Sequence, residues 1–111
     1  PEHEDTVRTF LNYSAARAQS APDPGEAIAI LELAVDQLET SVGTLDQSTL
    51  TCRGHLADMH IRNGDLVVAA EMLTSLLNDR MMVLGPDHPD TMRSSRMLAD
   101  VEDRLHGDSS G

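Results

Sequence analysis

Small and apolar residues recur at spacings of three and four along most of the chain, and that rhythm predicts helices. Val7, Phe10, Leu11, Ser14, Ala15 and Ala18 mark a first helix over residues 4–20. Ala27, Ile28, Leu31, Ala34, Val35 and Leu38 form one stripe and predict a second over about 25–41. Leu50, Leu56, Ala57 and Ile61 give part of the apolar surface of a third, 47–62. Leu66, Ala69, Ala70, Leu73, Leu76 and Leu77 give the stripe of a fourth, 66–83. Met92, Leu98, Val101 and Leu105 predict the inward face of a fifth, 88–106.

Turn residues separate these stripes. Pro22, Pro24 and Gly25 make the first turn, and Gly43–Gln47 the second. Ser48 or Asp46 is the expected N-cap of the third helix. Asn63-Gly64-Asp65 ends it, with Gly64 suited to a left-handed C-terminal position. Gly85-Pro86 breaks the fourth helix; Pro89 then fits the first turn of the fifth, with Asp90 near its positive end. Gly107 is expected to stop that helix and to open a small, polar, disordered tail over 107–111.

The chain repeats itself. Gly43 matches Gly85, Thr49 matches Thr91, Leu50 matches Met92, and Leu56-Ala57-Asp58 matches Leu98-Ala99-Asp100. Each pair is separated by the same interval, 85 − 43 = 42 residues. Thr6 falls on Thr49 and Ser14 on Ala57 at an interval of 43, which returns to 42 after the turn near Pro22. A period of this size predicts a tandem-repeat protein. The expected layout is an all-α domain of about five antiparallel helices. Repeat 1 spans about 3–42, repeat 2 about 43–84, and a partial repeat 3 about 85–106.

The middle unit resembles a tetratricopeptide repeat of the longer, kinesin-light-chain-like variety also found in bacterial, notably actinobacterial, regulatory proteins. The resemblance is carried by Leu84-Gly85-Pro86-Asp87-His88-Pro89-Asp90-Thr91 as the opening linker and by Leu56-Ala57 in the first helix of the unit. Asn63-Gly64-Asp65-Leu66 follows at the turn, with Ala69, Leu73 and Leu76 in the second helix. It implies helical hairpins stacked into a short right-handed superhelix, with a concave face lined by the first helices of the hairpins. In such proteins that face often binds peptides or proteins, and an Asn pair before the helix leucine clamps a ligand backbone. The corresponding places here hold Leu11 and Asn12, Gly54 and His55, and Arg96 and Met97; only Asn12 is an amide.

Composition narrows the function classes. Net charge is −11 and all eight basic residues are Arg, which argues against nucleic acid or an acidic membrane as a partner of this segment. A basic protein patch would be attracted instead. Aromatics are 2%, so the core must be aliphatic, with six Met. The single cysteine, Cys52, fits a reducing cytoplasm, and no apolar run is long enough to span a bilayer. The chain begins with Pro, so it reads as a fragment or a processed product.

No phosphate loop, nucleophile elbow or zinc-ligand motif is present, so no enzymatic activity, cofactor or metal is expected. Asp87-His88-Pro89-Asp90 and the trio His55, Asp58 and His60 read as helix-start and packing residues rather than metal ligands. His60 is expected to pack at the helix pair with one nitrogen hydrogen-bonded. The expected function is a protein–protein interaction or scaffolding module within a larger bacterial regulatory or signalling protein. The alternatives are a homo-oligomerising segment with no other ligand, and a peptide or small-molecule sensor controlling an attached effector. The candidate partner-binding residues are Asn12, Arg53, His55, Arg93 and Arg96.

Overall fold

A computed structural model describes the backbone of residues 23–110 and the side chains of residues 23–107. Four helices fill the described residues: α1 (Pro24–Ser41), α2 (Gln47–Arg62), α3 (Leu66–Leu84) and α4 (Pro89–Ser110). Each packs on the next in sequence, α1 on α2, α2 on α3 and α3 on α4. The first predicted helix, with Asn12, lies outside the described residues.

The helix starts follow from local chemistry. The Asp23 carboxylate accepts from the Glu26 amide at 3.1 Å, with Pro24 in the first turn of α1. Of the two candidate caps for α2, Asp46 serves: its carboxylate accepts from the Ser48 amide at 2.9 Å. His88 takes the same role for α4, its Nδ1 accepting from the Asp90 amide at 3.1 Å. Gly43, Gly64 and Gly85 all have φ between 85° and 100°, so the chain turns out of each preceding helix where a side chain would be strained. Gly43 and Gly85 sit one repeat interval apart, which is why that interval is so plain in the sequence.

Two aliphatic clusters make the interior, and α2 belongs to both. Ala27, Ile28, Leu31, Ala34 and Leu38 of α1 pack with Cys52, Leu56 and Met59. Leu50 and Ala57 point the other way and pack with Leu73, Leu76 and Val101. Residues 52, 56 and 59 fall on one side of a 3.6-residue helix and 50 and 57 on another, so one helix feeds two interfaces. A leucine buried as fully as Leu31 or Leu73 contributes about 1.5–3 kcal/mol.

Two details of the fifth predicted helix are corrected. Met92 does not face inward; it is 52% exposed. Its repeat equivalent Leu50 is covered by α3, and no described helix covers Met92 in the same way. Gly107 does not stop the helix, which runs to Ser110. Gly107 is absent from the glycines with positive φ, so the helical path continues through it into the residues read as a tail.

Candidate functional site

The residues of α2 left outside both interfaces are Thr51, His55, Asp58 and Arg62, spaced as one helical row. Their equivalents on α4 are Arg93, Met97, Asp100 and Arg104. The lower half of the row is the same ion pair twice. Arg62 Nε lies 3.2 Å from Asp58 Oδ2, and Arg104 donates to Asp100 across 3.3 Å, one repeat later. The upper half varies: Thr51 and His55 on one helix, Arg93 and Met97 on the next, with Met97 half-buried against the second cluster. A constant rail beneath variable side chains can orient a partner and let the variable positions discriminate.

The structure separates the candidate residues. His55 is half-buried and Arg93 exposed, both on these rows. Arg93 is held loosely, 3.6 Å from Asp90. Arg53 lies off the row and is occupied. Its guanidinium donates to Asp79 at 2.7 Å and to Ser75 at 3.2 Å, tying α2 to α3. Arg96 is exposed on α4, three residues beyond Arg93. It lines an open groove of about 410 Å³ between α3 and α4, with Leu77, Met81, Met92, Ser95 and Ala99.

His60 is buried at the α2–α3 turn, its Nδ1 3.1 Å from Asp65 Oδ2. The Asn63 side-chain amide donates to the same oxygen at 2.8 Å. These bonds, Asn63 first and His60 next, hold the Asp65 carboxyl below its ordinary pKa. His88 is spent on the start of α4, as described. Among the described residues no three His, Cys, Asp or Glu side chains converge on one point. No described helix is long and apolar enough to cross a membrane.

Cys52 is fully buried, and burial pushes its thiol pKa up to about 11. A thiol that stays protonated and covered is a poor nucleophile. The folded chain should therefore resist iodoacetamide at pH 8 for hours, and denaturant should release one reactive thiol per chain. Rapid alkylation of the native protein would show that the α1–α2 interface opens.

Arg80 went unnoticed in the sequence, because an arginine in a helix reads as solvated. It is 5% exposed. Its guanidinium donates to Ser94 Oγ at 2.7 Å, to the Asp90 carbonyl at 3.2 Å and, weakly, to the Leu50 carbonyl at 3.4 Å. Nε has no partner. Burial pulls its pKa down, the Asp90 charge pulling the other way, and an arginine remains protonated regardless. The signal was present in the repeat register. Leu38 and Cys52, both in the first cluster, become Arg80 and Ser94 one interval later, so an apolar contact is rewritten as a polar one.

No family model matches the sequence, and no curated protein matches it. Among solved structures, a kinesin light chain of Podosopora anserina with nearly identical TPR-like repeats superposes with a TM-score of 0.76 at 23% identity. The match covers 97% of this chain and 50% of that one. The fold is a tetratricopeptide-like helical-hairpin repeat. This chain spans half the length of the protein it resembles.

Proposed function

We propose that this chain is a protein–protein interaction module that binds through the outer rows of α2 and α4. The observation that carries the reading is the duplicated pair, Asp58–Arg62 and Asp100–Arg104, running beneath His55 and Arg93. A helix held only by its neighbours has no need to repeat a solvent-exposed ion pair at a fixed interval, since such pairs add little stability. Stacked helical repeats use extended surfaces of this kind for recognition. The net charge of −11 draws a partner whose contacting surface is basic. On the resemblance of the Leu84–Thr91 linker to those of bacterial regulatory proteins, the module would sit in a longer cytoplasmic signalling protein, as a scaffold rather than an enzyme.

Affinity capture with the immobilised chain tests this. One or a few proteins should be retained by the wild type, and a His55→Ala, Arg93→Ala, Arg104→Ala variant should retain about tenfold less. Equal retention by the variant would remove the rows from the interface. Recovery of nothing above background would count against an independent binding module.

A further inference from the structure

The sequence has three asparagines, at positions 12, 63 and 78, and only Asn63 is followed by glycine. That setting makes an asparagine chemically reactive, because a glycine nitrogen brings no side chain with it as it approaches the amide carbon. The step sits in the turn between α2 and α3, exposed to solvent. A Cβ built on Gly64 would meet nothing within 4 Å, so water and base reach the site freely.

What restrains the step is bonding within the turn. The Gly64 amide donates to the Ile61 carbonyl at 3.1 Å and the Asp65 amide to the His60 carbonyl at 2.8 Å, a paired closure common at helix ends. The Asn63 side-chain amide is drawn forward to Asp65 Oδ2 at 2.8 Å. With ψ at −4°, the Asn63 backbone keeps the Gly64 nitrogen turned away from the Asn63 side chain. Nucleophile, leaving group and backbone angle are each held out of the reactive arrangement.

We propose that Asn63–Gly64 is a self-modification site locked by the α2–α3 turn, which deamidates when the turn opens and then cannot close as before. The chemistry needs only water. In the open turn the Gly64 nitrogen gives up its proton and bonds to Asn63 Cγ. The Cγ–Nδ2 bond breaks, and the amide nitrogen leaves as ammonia with that proton. Water then opens the cyclic imide. Cleavage between the Gly64 nitrogen and Cγ leaves an aspartate. Cleavage between the Gly64 nitrogen and the Asn63 backbone carbonyl carbon leaves an isoaspartate, whose main chain runs through the side chain. Nothing is oxidised or reduced.

Either product undoes the lock. Asp65 loses a donor and gains a carboxylate beside its own. The new charge lies at the C-terminal end of α2, where the helix dipole disfavours an anion. In the isoaspartate, the lengthened main chain also takes the Gly64 and Asp65 amides out of register with their carbonyls. His60 bonds the same Asp65 oxygen, so the disturbance reaches a buried side chain.

The test incubates the full 111-residue chain in mildly alkaline buffer and follows Asn63 by peptide mapping with isoaspartate detection. The guanidinium-unfolded chain should convert at least about tenfold faster than the folded chain, because reaction follows the open fraction. Asp65→Ala removes the acceptor of the Asn63 amide and should speed conversion of the folded chain about fivefold. Asn63→Asp carries the product's charge without the reaction and should lower the denaturant midpoint. Equal rates in folded and unfolded wild type would show that the turn is no lock, a comparison that decides the case even where Asp65→Ala does not fold. A folded Asp65→Ala that reacts at the wild-type rate, or Asn63→Asp with an unchanged midpoint, would also overturn the proposal.

Discussion

Replacing Leu73 with Ala lowers the unfolding free energy by about 3 kcal/mol, within the usual range for a buried leucine. Leu73 has no exposed surface and sits in the cluster that joins α2, α3 and Val101 of α4. Its loss removes apolar contact from both sides of α3 at once, and the helices cannot close the void without shifting against each other. Denaturant titration followed by circular dichroism measures the change. In a small domain whose total stability is about 5–15 kcal/mol, a loss of this size moves the midpoint visibly. A change below about 1 kcal/mol would mean that α3 and α4 are not packed as described.

Arg80 gives the second large effect, and two substitutions there should part company. Arg80→Ala costs about 3 kcal/mol, because it empties the volume of the stem and leaves Ser94 Oγ without its donor. Arg80→Met keeps most of the volume and removes a buried charge whose Nε is unpaired, and should cost less than about 1 kcal/mol. Adding Ser94→Ala to Arg80→Met should bring stability back to the wild-type value or above, by recreating the apolar contact of Leu38 and Cys52. The same denaturant titrations decide it. Arg80→Met falling below Arg80→Ala would show that the positive charge itself holds α4.

The fold was legible because its determinants are local. The spacing of Leu31, Ala34 and Leu38 fixes a face, and Gly43 and Gly85 fix where the chain turns, each readable without knowing the neighbours. What was not legible depends on a neighbour. Met92 occupies an apolar register position, yet its exposure depends on whether a helix lies over it. Arg80 and Arg53 look alike in sequence; one is folded under α4 and the other clipped to Asp79 by residues 26 positions apart. Gly107 carries the same residue type as Gly85 and does something different, because a glycine permits a left-handed turn without requiring one. Of the candidate contacts, His55 and Arg93 are found on the outer rows and Arg96 in the groove.

Units as alike as these carry a hazard during folding: α4 could settle on α1 in the place that belongs to α2, skipping a hairpin. The contact between Arg80 and Ser94 makes that product costly. The skipped arrangement would press the Ser94 hydroxyl against Leu38 with nothing to accept or donate, and would strand the guanidinium of Arg80. Two residues that break the chain's own periodicity thus act as a key to the order in which its pieces assemble.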